Sequence, residues 1–210
     1  MPPEQPLDDV PLVAILRGVT PDRVVEIGEA LHEAGIRAIE VPLNSPDPFR
    51  SIERLAARLG DICLCGAGTV LSSDQVERAR DAGARLIVAP NTDVSVIARA
   101  VRHGLVVVPG FATATEAFAA IAAGATRLKL FPASTYGAGH LKALKAVLPR
   151  DVKVYAVGGI GPADMQQWAQ AGAAGFGLGS DIFKPEYETK DIAMRARQAI
   201  AAIGEATAKT

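Results

Sequence analysis

"IAAGATRLKLFP", residues 121–132, runs from an alanine-rich helical end through a glycine into a leucine-rich strand that stops at proline. The same order recurs in "HEAGIRAIEVP" (32–42), "ARLGDICLCGAGTV" (57–70), "RDAGARLIVAPN" (80–91) and "VRHGLVVVPG" (101–110). The glycines at 35, 60, 83, 104 and 124 are spaced 20–25 residues apart. Glycine takes the left-handed conformation at little steric cost, so each one predicts a helix stop just before a strand. "LPRDVKVYAVGG" (148–159) adds a strand without that glycine, "QAGAAGFGLGS" (170–180) restores it, and "VPLVAILRG" (10–18) supplies the first strand.

That makes eight strands, with helical patterns between them. "TPDRVVEIGEALHEAG" (20–35) starts with a Thr cap and a Pro in its first turn, and "SSDQVERARDAG" (72–83) and "TATEAFAAIAAG" (113–124) start in the same way. Strands alternating with helices predict a parallel sheet. Eight such units in 210 residues predict a single-domain (β/α)₈ TIM barrel over about 10–183, followed by a C-terminal helix over about 186–204. An open doubly wound sheet fits less well. The first strand is not followed by G-x-G-x-x-G, and no acidic residue stands in the ribose position of a dinucleotide site.

Composition narrows the function. Apolar residues make up 49% of the chain but aromatics only 5%, so the core is built from Ala, Val, Ile and Leu. A net charge of −1 leaves no electrostatic footprint for nucleic acid and no basic cluster for a membrane surface. No apolar run approaches the roughly 20 residues of a membrane span. The opening "MPPEQPLDDV" is acidic and Pro-rich, the opposite of a signal peptide. Cys63 and Cys65 share a strand face, where disulfide geometry is poor, and read as core residues of a cytoplasmic protein. They lack the further ligands a metal site needs, and His32, His103 and His140 read as exposed. No cofactor is expected.

Alternate residues of a barrel strand point inward. In "RLKLFP", Leu128 and Leu130 share the outward parity, so Lys129 points into the barrel near the strand's C-terminal end. Glu40 is placed likewise between Ile39 and Val41, and Arg17 ends its own strand. Three charges thus converge on the mouth where barrel enzymes keep their chemistry. A buried ammonium either pairs or loses its proton. Lys129 and Glu40 could form an ion pair that only fixes register. The sharper reading is chemical: a neutral lysine attacks carbonyls to form a Schiff base, and a carboxylate beside it shuttles protons. Arg17 could depress the lysine's pKa and hold a substrate carboxylate. Lys142, Lys145, Lys153 and Lys184 lack that position.

Gly-rich turns follow the last two strands, "AVGGIGPADM" (156–165) and "FGLGSDIF" (176–183). Barrel enzymes often bind phosphate there, and Gly158, Gly159, Gly179 and Ser180 offer N–H donors and a hydroxyl.

In this order, "ILRG", "IEVPLNSP", "GAGTVL", "LKLFPAS", "AVGG" and "GLGSD" resemble the 2-keto-3-deoxy-6-phosphosugar-acid aldolases, a metal-independent Schiff-base family of trimeric (β/α)₈ barrels. The resemblance runs from about residue 10 to residue 183. It implies cleavage of a phosphorylated keto acid to pyruvate and glyceraldehyde 3-phosphate, with Lys129 as imine lysine and Glu40 as acid/base residue. It also implies that Arg17 and Thr69 contact the pyruvate portion and that Pro90 and Phe131 line the pocket. The two Gly-rich turns would hold the phosphate. Gluconate-type members generally carry an arginine at Asn44 and a threonine at Val157; both departures match the galactonate type. The expected substrate is therefore 2-dehydro-3-deoxy-6-phosphogalactonate, with the gluconate epimer, or both, as the alternative.

Two rivals are an isomerase or epimerase of pentose phosphates and a non-catalytic barrel that senses phosphorylated sugar acids. The first needs His/Asp metal clusters or paired carboxylates that this sequence does not display. The second has no use for a strand-centre lysine beside a carboxylate. The segment past Phe183 reads as a polar loop and an amphipathic helix without chemistry.

Overall fold

The computed structural model describes residues 4–208; residues 1–3 of the acidic opening lie outside it. Its strands are β1 (Leu12–Ile15), β2 (Ala38–Pro42), β3 (Leu64–Gly68), β4 (Leu86–Val88), β5 (Val106–Val108), β6 (Gly110–Phe111), β7 (Arg127–Leu130), β8 (Lys153–Val157) and β9 (Gly175–Leu178). Neighbours pair in parallel in the order β5-β4-β3-β2-β1-β9-β8-β7-β6. The two ends of this sheet, β5 and β6, are separated only by Pro109, whose carbonyl accepts the Lys129 N–H at 2.8 Å. They form one strand interrupted where proline has no N–H to donate, so the sheet closes on itself as the expected eight-stranded barrel.

Strand parity sorts the core into two layers. Val13, Ile15, Leu64, Leu86, Val88, Val106, Val108, Tyr155 and Val157 fill the barrel. Leu12, Ala14, Ile39, Val41, Leu128, Leu130, Val154 and Ala156 pack outward against the helices. Cys63 and Cys65 are free and buried in that outer layer. No described helix is long and apolar enough to cross a membrane.

Local signals hold with exceptions. Ser72 and Thr113 cap the helices Ser73–Asp81 and Ala114–Ala122, the second with a full capping box. Thr20 does not cap: residues 21–23 form a turn, and the helix begins at Val24 with no side-chain cap. Gly35, Gly83, Gly104, Gly124 and Gly172 are left-handed as the pattern requires. Gly60 is not, with φ −58°. Its helix winds on into a further turn in which Cys63 N–H returns to the Leu59 carbonyl at 2.8 Å, so the chain needs no reversal there. The final helix runs Thr189–Ala208, later than expected.

The three histidines are half-buried rather than exposed. His103 pairs with Glu77 at 2.8 Å, His140 Nε2 lies 2.7 Å from the Ala112 carbonyl oxygen, and His32 lies between Arg37 and Cys63.

A short helix, Gln5–Asp9, closes the N-terminal mouth of the barrel. Leu7, 1% exposed, enters the inner layer, and its carbonyl accepts the Tyr155 hydroxyl at 3.3 Å. Asp8 accepts from both Arg127 and Lys153 at 2.6 Å.

Candidate active site

The open mouth holds a cavity of about 610 Å³ at the C-terminal ends of the strands. Lys129 enters it from β7, one residue before the strand ends, and is 5% exposed. Its Nζ lies 4.6 Å from the centre of the Phe131 ring, which precedes a cis peptide to Pro132. Arg17, two residues past β1, donates from Nη1 to Asn44 Oδ1 at 2.7 Å and lines the same cavity. Pro90 and Thr69 form the facing wall, Thr69 at φ 56° immediately after β3. A positive φ is uncommon for a β-branched residue and reorients the chain as it leaves the strand.

Glu40 lies beneath this wall rather than in it. It is 1% exposed, absent from the cavity lining, and its Oε2 is buried without a hydrogen-bond partner. Room for the carboxylate comes from Gly68 on the neighbouring strand, where any β-carbon would overlap it. Lys129 and Glu40 do not form an ion pair among the described residues; they act on each other through space. Burial pushes the Glu40 carboxyl up to about 7, against the opposing pull of Lys129 and Arg17. Burial likewise pulls Lys129 below the ordinary lysine value, with Glu40 opposing and Arg17 adding to the shift. Opposite shifts of this kind bring the two groups closer in pKa, as acid/base sites require. A register-fixing ion pair would instead bring its charges together, and this arrangement holds them apart.

Val157, Gly158, Gly159, Gly179 and Ser180 line the same cavity. Gly158 and Gly159 have φ 99° and 69°, a turn that L side chains rarely adopt and that leaves backbone facing the cavity. Val157, 5% exposed, adds an isopropyl group to the lining.

Every expected site residue except Glu40 therefore lines one cavity. Sequence reasoning missed Gly68, Asp181 and Lys184. Gly68 stands inside "GAGTVL", yet nothing local says that its missing side chain serves β2. Lys184 lies past the last strand, in the segment read as having no chemistry, and the structure brings it to the cavity rim. Among the described residues no group of three or more His, Cys, Asp or Glu could hold a metal ion.

Known proteins match this chain over most of its length. The family model described as "Aldolase: KDPG and KHG aldolase" matches residues 4–198. The chain is 49% identical over 197 residues to the 2-dehydro-3-deoxy-6-phosphogalactonate aldolase of Escherichia coli (strain K12), covering 94% of this chain and 96% of that one. It is 34% identical over 151 residues to the 2-dehydro-3-deoxy-phosphogluconate aldolase of Treponema pallidum (strain Nichols), covering 70% and 71%. A solved structure described as native KDPGal superposes with a TM-score of 0.93 at 48% identity, covering 95% of this chain and 97% of that one. The chain belongs to the KDPG and KHG aldolase family.

Proposed function

We propose that this member of the KDPG and KHG aldolase family cleaves 2-dehydro-3-deoxy-6-phosphogalactonate to pyruvate and D-glyceraldehyde 3-phosphate through a Schiff base on Lys129. The observation that carries the reading is the buried lysine, depressed in pKa, in a cavity that two Gly-rich turns also line. Neutral Lys129 Nζ attacks the C2 ketone, and loss of water leaves a protonated imine. A base removes the C4 hydroxyl proton, the C3–C4 bond breaks into the imine, and the aldehyde departs. Protonation of the resulting enamine at C3 and hydrolysis release pyruvate. Glu40 is the proton acceptor and donor in these steps. Arg17 binds the carboxylate beside the ketone, with Thr69, Pro90 and Phe131 around the pyruvate portion. Gly158, Gly159, Gly179 and Ser180 hold the phosphate by N–H and hydroxyl donors.

Preference for the galactonate epimer is supported by higher identity over more of the chain, and by Val157, which offers no hydroxyl to the C4 substituent. We assign the enzyme to the cytoplasm and, from the family resemblance, to a homotrimer. Exposed Leu71, Val94 and Phe118 supply apolar surface for such packing.

Borohydride trapping with pyruvate, followed by peptide mapping, tests the reading. One reduced adduct on the Lys129 peptide, absent from Lys129→Met, is expected. No adduct on any lysine would remove the Schiff-base mechanism and return the sensor and isomerase readings.

A further inference from the structure

We propose that Lys184 is a phosphate-binding cation, fixed at the cavity rim by a fastened strap of chain, and that it makes the site prefer phosphorylated over unphosphorylated keto acids. The proposal rests on the aldolase reading above and deepens it.

Charge placement raises the need. Arg17, Lys129 and Lys184 are the cations among the described residues that line the cavity. On the aldolase reading the first two serve the keto-acid portion. The Gly158–Gly159 and Gly179–Ser180 turns provide neutral donors only, and Asp181 adds a carboxylate to the same wall. A phosphate monoester brings about −1.5 to −2 charges at neutral pH, which neutral donors beside a carboxylate leave poorly compensated. Lys184 is the residue whose charge answers that deficit.

Its position is built rather than incidental. The N–H groups of Ile182 and Phe183 return to the Gly179 carbonyl at 3.0 and 2.8 Å, a tight turn that delivers the next residue to the rim beside Ser180. Phe183, 3% exposed, anchors that turn in the core. Beyond it, Arg23 donates to the Pro185 and Tyr187 carbonyls at 2.6 and 2.9 Å, fastening the strap to the loop after β1. The Tyr187 N–H closes back on the Lys184 carbonyl at 3.0 Å. Pro185 sits so close over Gly18 that a β-carbon there would lie 2.9 Å from its Cγ. The backbone of Lys184 is thus held on both sides while its side chain is exposed. The Lys184 ammonium lies 5.5 Å from the centre of the Tyr187 ring, whose other neighbour is the Arg195 guanidinium at 4.6 Å. A cation–π contact that long is weak, and an anion in the cavity outcompetes it.

The test compares wild type, Lys184→Met and Lys184→Arg on the phosphorylated keto acid and on its unphosphorylated counterpart, with titration of inorganic phosphate by calorimetry. Lys184→Met is expected to raise KM for the phosphorylated substrate roughly 10-fold or more, the loss of one charge-assisted contact, with kcat little changed. Its kinetics on the unphosphorylated substrate should match wild type, its phosphate affinity should fall in parallel, and Lys184→Arg should restore both. Unchanged KM and phosphate affinity, or equal losses on both substrates, would overturn the proposal. Trapping with pyruvate alone separates the two readings: an adduct in all three proteins leaves the aldolase reading intact whatever Lys184 does. Should no adduct form in wild type, the phosphate titration still decides the role of Lys184.

Discussion

Glu40 occupies the space that a side chain at position 68 would need: a β-carbon on Gly68 would lie 2.5 Å from Oε1 and overlap the rest of the carboxylate. The two residues come from adjacent strands, two steps apart in register, since Glu40 pairs with Gly66 and Pro42 with Gly68. The acid/base group of the proposed mechanism is thus aimed by an absence on its neighbour.

Gly68→Ala therefore tests aim without touching charge. The backbone at 68 is within reach of any residue, so the added methyl acts by displacing the carboxylate. Turnover should fall on the order of 100-fold, as for other small misplacements of a reacting group. The borohydride adduct on Lys129 should persist, and the pH dependence of turnover should shift. Equal loss of adduct and turnover would indicate a collapsed site.

Exchange of pyruvate methyl protons with D₂O, followed by NMR, isolates the proton-transfer step. It needs Lys129 neutral to form the imine and Glu40 ionised to take the proton. Glu40 titrates at about 7 and Lys129 below its usual value, so both requirements are met as pH rises. Exchange should be slow at about pH 5 and climb through neutrality as the Glu40 carboxyl ionises. Glu40→Gln should abolish exchange and keep the adduct.

Val157→Thr replaces a methyl of the isopropyl group lining the cavity by a hydroxyl of similar size. The ratio of kcat/KM for the galactonate and gluconate epimers should move roughly 10-fold toward gluconate, within the range one added polar contact provides. An unmoved ratio would place epimer choice elsewhere.

At the closed end, Asp8→Ala leaves the Arg127 guanidinium, 8% exposed, without its carboxylate. Loss of about 2–3 kcal/mol in denaturant unfolding is expected, with turnover retained below the transition. Burial works to raise the Asp8 carboxyl, but hydrogen bonds from Lys153 and Arg127 outweigh it and hold it below its usual value. A depressed carboxyl contributes stability above its unfolded pKa and loses it as pH falls through the folded one. The gap between the two proteins should therefore close only as pH falls below the ordinary aspartate value of 3.8.

What the sequence made legible was whatever repeats or alternates. The parity of Leu128 and Leu130 was enough to turn Lys129 inward, and four of the five helix-stop glycines were marked by their place between an alanine run and a strand. Gly60 looked the same, and only the turn that follows it sets it apart. The residues that escaped are those whose partners are distant. Asp8 meets Arg127 and Lys153 across 119 and 145 positions, and Arg23 meets Pro185 across 162. No local pattern announces such meetings. The depth of Glu40 below the cavity wall escaped for another reason: strand parity gives the side a residue faces, not how far its carboxylate stands from solvent.

The helix at residues 5–9 makes the barrel a blind-ended vessel. With Leu7 and Tyr155 corking the far mouth, whatever reaches Lys129 enters where Lys184 stands and leaves by the same door. Traffic through one door imposes an order. In the proposed mechanism the aldehyde departs first, and the three-carbon remnant stays on the lysine until water entering by the same mouth frees it.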